Sequence, residues 1–414
     1  MTSPGAEPAT GARRAGRGLA AFATVPREVF SRDHWGRAPL LSRADDLPPP
    51  THGFGPDAVD ELLSSRALRT PFLRMARAGA TLDASAYTLG GGVGATIGDQ
   101  VSEDKVLREF AAGATIVLQA LHRTWGPVGA SARELAADLG HPVQVNAYVT
   151  PPANRGFDDH YDVHDVMVVQ VTGEKHWQVR PPVLDAPLRT QPWTDRREAV
   201  AAAATAEPVI DATLRPGDCL YLPRGWLHSA TATEEVSTHL TFGVHPWTVR
   251  HLVDDLLRAA ATHLDADPAV RASLPVGVDV LDAGTTADRR GAARAAVVAA
   301  LDAVPDEELA RLLAGRARAA ERAAPLGVLA QHAAGERTGL HGWRVREGLA
   351  ARWEGGTLVT RVARVAVPDA DRGAVRGVLA HEVEPGRLPE RVLRRLALAG
   401  IVVPDDTGGE PRRG

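Results

Sequence analysis

The stretch HYDVHDVMVVQVTGEKHWQVR, residues 160–180, decides which fold this sequence predicts. It contains two β-rich runs that are separated by the turn signal Thr172-Gly173. Runs of this kind occupy residues 143–150, 163–171, 175–180, 218–223 and 237–244. Turn residues, and no helices, separate these runs. Several short strands in succession predict a β-sandwich or a small barrel between Pro142 and Pro246.

Helical periodicity flanks this β-rich segment. Apolar residues recur at helical spacing over 104–125, 130–139, 250–263, 289–304 and 307–324. A final segment, 339–404, mixes short strand and helix patterns and suggests a winged-helix-like unit. The first 25 residues are rich in Ala, Gly, Pro and Arg without periodicity, which predicts a disordered tail.

The composition excludes several classes of protein. The 414 residues are 44% hydrophobic and 24% charged, which is ordinary for a globular protein and excludes wholesale disorder. The formal charge of −4 gives no cationic field that would recruit nucleic acid or anionic lipid. The single cysteine, Cys219, excludes an intramolecular disulfide framework. No apolar run reaches the ~18–20 residues that span a bilayer, so we expect a cytoplasmic protein without a membrane partner.

His160-Tyr161-Asp162 is the sharpest local motif. Side chains at positions i and i+2 of a strand lie on the same face, so both could reach one ion. His228, just after the strand that ends at Leu222, offers a second imidazole. Two imidazoles and one carboxylate leave coordination positions open, as in the non-haem Fe(II) oxygenases. The motif alone is weak evidence, because loop histidines and turn carboxylates also produce it.

Lys175 is one of only two lysines in the chain, and it begins a strand run. A lysine inside a barrel needs an anionic partner, because burial of an unpaired ammonium is costly. A dicarboxylate co-substrate would supply that partner. Asn146 and Tyr148 share a face of the preceding strand and could hydrogen-bond the same ligand. The alternative is that Lys175 is an exposed residue at a strand end.

Together these residues resemble the JmjC/cupin ribosomal oxygenases. The resemblance covers roughly residues 28–250. It rests on Asn146-Ala147-Tyr148-Val149-Thr150-Pro151-Pro152, His160-Tyr161-Asp162, Asp165, Gln170, Gly173-Glu174-Lys175, Trp177, Pro216-Gly217-Asp218, Leu220-Tyr221-Leu222-Pro223-Arg224-Gly225-Trp226 and His228.

The resemblance implies an α+β protein built on a double-stranded β-helix. Composition predicts the disordered tail at 1–25. The resemblance implies a JmjC/cupin catalytic domain with N-terminal helices at 26–250, a helical dimerisation segment at 251–325 and a winged-helix-like domain at 326–414. A homodimer is therefore expected. In this family the winged helix is a structural or protein-contact module, so we expect no sequence-specific binding of nucleic acid.

The resemblance also implies the site. His160, Asp162 and His228 match the ligands of Fe(II). Lys175 matches the lysine that pairs with the distal carboxylate of 2-oxoglutarate, and Asn146 with Tyr148 match the secondary contacts to that co-substrate. Family members often add a Ser or Thr near the end of the last strand, where this chain offers only Thr241.

The implied activity is hydroxylation of a protein or peptide side chain, in particular of a ribosomal protein, with conversion of 2-oxoglutarate and O2 to succinate and CO2. Three alternatives stay open. The same metal motif serves demethylation of histone or protein lysines, hydroxylation of a small molecule, or a regulatory cupin that binds metal without turnover.

Overall fold

The structure is a computed structural model that describes residues 17–405, apart from 78, 92–95, 156 and 341. The chain divides into two compact units at the junction of Pro246 and Trp247. Among the described residues, no helix is long and apolar enough to cross a membrane.

The first unit combines short helices with many strands. Its helices are α1 (Arg17–Ala20), α2 (Arg27–Val29), α3 (Pro56–Ser65), α4 (Glu103–Ala111), α5 (Leu121–Thr124), α6 (Gly126–Leu139) and α7 (Arg197–Ala203). Its strands are β1 (Leu40–Ser42), β2 (Leu73–Arg77), β3 (Ala80–Thr81), β4 (Thr88–Gly91), β5 (Ile97–Val101), β6 (Thr115–Leu118), β7 (Val143–Thr150), β8 (Asp165–Thr172), β9 (Lys175–Arg180), β10 (Ile210–Leu214), β11 (Cys219–Leu222), β12 (Leu227–Ala232) and β13 (Ser237–Val244).

Two antiparallel sheets form the barrel of this unit. The larger sheet has the order β1-β11-β8-β13-β7-β6-β2-β3, and the smaller sheet has the order β10-β9-β12. Val168 and Leu220 of the larger sheet pack against Trp177 and Val179 of the smaller one. This arrangement is the cupin-type double-stranded β-helix, so the predicted core fold is confirmed.

Strand β8 is apolar on both faces because both faces are covered. Met167 and Val169 pack into the core formed with the N-terminal helices, while Val166 and Val168 face the barrel interior. A strand that is buried on both sides has a continuous apolar sequence rather than an alternating one. The run VMVV at 166–169 follows from this position in the fold.

The second unit is helical at first and mixed afterwards. Its helices are α8 (Val249–Ala266), α9 (Ala287–Asp302), α10 (Asp306–Ala320), α11 (Val328–Glu336), α12 (Asp369–Leu379) and α13 (Glu390–Leu398). Its strands are β14 (Trp343–Val345), β15 (Arg352–Glu354), β16 (Thr357–Val359), β17 (Arg364–Ala366) and β18 (Val402–Pro404). Strands β15, β16 and β17 form an antiparallel sheet that shares a core with α12 and α13.

The predicted disordered tail is wrong for residues 17–25. Residues 17–20 form α1, and Leu19 and Phe22 are buried. The Phe22 ring lies edge-on to Phe242 with centroids 4.8 Å apart, and the Leu19 amide donates to Asp138 Oδ2 at 2.9 Å. A few apolar residues with distant partners were enough to order this stretch. Residues 1–16 lie outside the described residues.

The predicted continuous helix over 104–125 is also wrong. Helix α4 ends at Ala111, and Gly113 follows with a φ of +92°. Residues 115–118, Thr-Ile-Val-Leu, form the fully buried strand β6 between β2 and β7. The apolar positions Ile116 and Leu118 match helical spacing by coincidence, and burial on both faces favours a strand there.

Candidate metal centre

The structure brings His160, Asp162 and His228 together. Their ligand atoms all lie within 4.8 Å of one another, and His228 Nε2 is 3.8 Å from Asp162 Oδ2. His228 lies in β12. The sequence predicted that His160 and Asp162 lie in a strand, but both residues precede β8. The main chains of the two histidines pair instead. The His160 amide donates to the His228 carbonyl at 3.2 Å, and the His228 amide donates to the His160 carbonyl at 2.9 Å.

The imidazoles of the two histidines are oriented by backbone carbonyls. His160 Nδ1 lies 2.7 Å from the Asp158 carbonyl oxygen, and His228 Nδ1 lies 3.0 Å from that of Trp226. A carbonyl oxygen can only accept, so each Nδ1 carries the proton and each Nε2 lone pair remains for a metal. Burial, with the neighbouring His160, lowers the pKa of His228 to about 4, so its imidazole is neutral at pH 7.

The Asp162 carboxyl is ionised at neutral pH. Its burial acts to raise the pKa, but the nearby His164, His228 and His160 outweigh this effect and the pKa lies below its usual value. His164 stacks on His245 with ring centroids 4.8 Å apart. The His164 ring also lies close to Gly243, because a Cβ at that residue would be 2.7 Å from the ring atoms. His164 therefore packs beside the triad against a glycine.

Lys175 is buried in the barrel interior, not exposed at a strand end. It is 3% exposed, and its Nζ donates to Thr150 Oγ1 at 3.0 Å. Burial lowers the pKa of Lys175 to about 7, and no carboxylate among the described residues forms an ion pair with it. An ammonium has three N–H donors, and the bond to Thr150 uses one. The site is therefore suited to receive an anion.

Asn146 and Tyr148 lie on the same face of β7 as Thr150, as their spacing predicts. Asn146 Oδ1 accepts from the Ala120 amide at 3.1 Å. The Tyr148 ring stacks on His239 of β13, with centroids 4.9 Å apart and planes 5° apart. Thr241 is the β13 residue directly opposite Asn146. This strand pair supplies a polar lining inside an otherwise apolar barrel.

Three further residues of this interior have polar atoms that are close to Lys175 or buried without a partner in the described part of the chain. Thr150 accepts from Lys175 and is also within 3.3 Å of Thr115 Oγ1. Trp177 Nε1 and His239 Nδ1 are buried without a hydrogen-bond partner among the described residues. Buried polar atoms of this kind are normally satisfied, so their lack of partners fits a cavity that takes a polar ligand.

The residues present fit a transition-metal ion and an anionic ligand. Two neutral imidazoles and one carboxylate form a donor set that suits Fe(II) and leaves positions for other ligands. The buried ammonium and the two unpartnered polar atoms lie in the same interior. Together they can hold a metal and a carboxylate-bearing molecule away from bulk water.

The fold and the site are similar to those of JmjC-type cupins, and comparison with known proteins agrees. A model of the JmjC domain matches residues 130–252. A bifunctional lysine-specific demethylase and histidyl-hydroxylase NO66 from Drosophila persimilis is 36% identical over 104 residues, which cover 25% of this chain and 14% of that protein. Human ribosomal oxygenase 1 is 28% identical over 228 residues, covering 54% of this chain and 33% of that protein.

Among solved structures, the ribosomal oxygenase YcfD from Escherichia coli, in complex with cobalt and 2-oxoglutarate, has the same fold. Its TM-score is 0.53 at 16% identity, over 92% of this chain and 99% of that one. The chain spans only a third or less of the length of the two curated relatives named above. Over part of its length the chain is therefore similar to ribosomal oxygenases, and residues 130–252 match the JmjC domain.

Proposed function

We propose that this protein is an Fe(II)- and 2-oxoglutarate-dependent dioxygenase that hydroxylates a protein side chain. The observation that carries the proposal is the combination of the His160–Asp162–His228 cluster with a buried ammonium in one barrel. A metal cluster alone would also suit a binding cupin. The buried Lys175 has a hydroxyl but, within the part of the chain that the structure describes, no carboxylate as its partner, which adds a requirement for an anionic co-substrate.

The site residues divide into metal ligands and a co-substrate contact in this proposal. His160, Asp162 and His228 would hold Fe(II), and Lys175 would pair with the distal carboxylate of 2-oxoglutarate. When bound, iron and 2-oxoglutarate supply the oxidising chemistry: O2 and 2-oxoglutarate give succinate and CO2, and one oxygen atom enters a substrate C–H bond.

The chain itself contributes positioning and exclusion of water. Thr150 fixes the direction of the Lys175 ammonium through its 3.0 Å hydrogen bond. Asn146 and Tyr148 would contact the co-substrate from β7. The apolar inner face, including Trp177 and Val179, lowers the local dielectric and so strengthens the attraction between Lys175 and a carboxylate.

The proposed substrate is a ribosomal protein. The support comes from the similar proteins, two of which are named ribosomal oxygenases. Demethylation is the second candidate, because one relative is named a bifunctional lysine-specific demethylase and histidyl-hydroxylase. Both activities consume 2-oxoglutarate, and they differ in whether the substrate gains an oxygen atom or loses a methyl group.

We propose a cytoplasmic homodimer with a winged-helix-like C-terminal domain. An exposed apolar stripe on α8, formed by Val249, Val253 and Leu257, supports association through the helical segment. Light scattering of the full chain and of the V253D/L257D variant tests this association.

For the winged-helix-like C-terminal domain, the support is the small sheet β15-β16-β17 that packs with α12 and α13.

The decisive experiment incubates the full chain with Fe(II), 2-oxoglutarate and purified ribosomal proteins. We expect succinate formation together with a protein whose mass rises by one oxygen atom, and we expect Asp162→Ala to abolish both. His176→Ala is the matched control, because His176 lies on the outer face of β9, where its Nε2 lies 2.9 Å from an Asp211 carboxylate oxygen. Full succinate production by Asp162→Ala would refute the assignment, whereas a loss of methyl groups would favour demethylation.

A further inference from the structure

A second cavity lies in the first unit, away from the metal centre. It is a groove of about 670 Å³ between α3, α4 and the outer face of the larger sheet. Its apolar wall is formed by Val59, Leu63, Val106, Phe110, Ile116 and Val149. This volume lies in the range of ligand-binding clefts.

The groove is separate from the proposed co-substrate site. Its floor is the cross-strand pair Ile116 and Val149 of β6 and β7. Neighbouring residues of a strand point to opposite faces, so Val149 faces the groove while Tyr148 and Thr150 face the barrel interior. A ligand in the groove would therefore not touch the metal ligands.

Large apolar side chains at the rim of the groove are exposed. Leu107 of α4 is 66% exposed, and Val236, just before β13, is 41% exposed. Both line the groove. A ligand that buries these two side chains would gain hydrophobic free energy of binding.

The rim is also acidic. Asp60, Glu103, Asp104 and Glu235 line the groove, and none of them forms an ion pair within the described residues. The nearest cation on α4 is engaged elsewhere, since Lys105 Nζ donates to the carbonyls of Ser85 and Thr88 at 2.9 and 2.7 Å. Glu103 and Asp104 stabilise the N-terminus of α4. The other two carboxylates have no such role.

We propose that this groove binds a cationic, amphipathic polypeptide segment of a partner protein. Its apolar side chains would fill the cleft, and its Lys or Arg side chains would pair with the four rim carboxylates. The charge of the rim excludes an anionic occupant and selects a basic one. The proposal does not depend on the catalytic assignment, because the groove shares no residue with the metal cluster.

A fluorescein-labelled helical peptide of Leu and Lys tests the proposal by anisotropy with the full chain. Two comparison peptides replace either Lys by Glu or Leu by Ser. We expect the Leu/Lys peptide to bind most tightly, with an affinity that falls as salt rises. Hydrogen exchange should slow in α3, α4 and residues 235–238 when this peptide is added. Equal binding of the Leu/Glu peptide, or no binding of the Leu/Lys peptide, would overturn the proposal.

Variants locate the bound peptide. We expect L107Q/V236T to weaken binding at least about tenfold, the factor given by losing one buried aliphatic side chain. Leu89→Gln is the matched control, since Leu89 is 52% exposed but does not line the groove. Glu235→Gln should weaken binding at low salt, whereas the exposed Glu198→Gln should not. Circular dichroism and urea unfolding check that each variant is folded, and unchanged peptide affinity in folded L107Q/V236T would refute the site.

Discussion

Replacing Lys175 with methionine should make the metal-free protein more stable at neutral pH while abolishing 2-oxoglutarate binding. Methionine has a similar length and flexibility, so it fills the same space without a charge. The ammonium is 3% exposed, and among the described residues the Thr150 hydroxyl is its only hydrogen-bond partner. Its charge is therefore unfavourable for folding until a dicarboxylate binds.

The magnitude follows from the pKa of Lys175, which burial lowers from 10.5 to about 7. Such a difference corresponds to about 4 kcal/mol of destabilisation at pH 7. Loss of the hydrogen bond to Thr150 reduces the gain by about 1 kcal/mol. We therefore expect K175M to be more stable by about 3 kcal/mol at pH 7. Between about pH 7 and 10.5 the unfolded state binds more protons, so the stability of the wild-type protein should rise with pH, and that of K175M should not follow this rise.

Urea unfolding of the metal-free full chain at pH 7 and at about pH 10 measures this difference. Lys105→Met is the control, because the other lysine bonds two carbonyls at the surface and should show no stability gain. Calorimetry with 2-oxoglutarate in the presence of Fe(II) gives the second readout. A K175M variant that is less stable than the wild type at pH 7, or that still binds 2-oxoglutarate with full affinity, would refute the reasoning.

Further changes test other parts of the molecule. Gly173→Ala should destabilise by more than about 2 kcal/mol in urea unfolding, because Gly173 has a φ of +62° and a Cβ would collide with the Val236 carbonyl; Gly355→Ala, at +57° in open space, should have a smaller effect. Asp255→Asn should lower the melting temperature of the helical segment, because it leaves Arg316 and Arg258 without the carboxylate they share; an unchanged melting temperature would contradict this role. Removing metal with a chelator should abolish succinate formation, and Fe(II) should restore it.

The strands of the barrel could be predicted because their signal is local. The five β-rich runs correspond to β7, β8, β9, β11 and β13. Each run shows either alternating or continuous apolar residues within about eight positions. The helices α8, α9 and α10 were predicted for the same reason, since a 3.6-residue period is visible within each.

The errors arose where distant partners decide the structure. Residues 115–118 form strand β6 because they pair with β2 and β7, and the sequence pattern within 104–125 does not indicate this pairing. Leu19 and Phe22 are ordered by α6 and β13, more than a hundred residues away. Periodicity does not report pairing over such separations.

The site was predictable in kind but not in detail. The His-X-Asp motif and Lys175 pointed to a metal and an anion, and the structure places them in one barrel. His239 meets Tyr148 through the pairing of β7 with β13, and Thr150 meets Thr115 of β6 and Lys175 of β9. Contacts between neighbouring strands can be predicted only when the strand register is known, and a single sequence does not give that register.

The paired amides and carbonyls of His160 and His228 have a consequence for metal exchange. Because the main chain already sets the spacing of these two residues, an arriving ion replaces water without having to order the polypeptide. The free energy of coordination is then available almost entirely as affinity. Such a protein can lose and regain its ion in the native state, and ions of similar size can compete for the same site without unfolding the barrel.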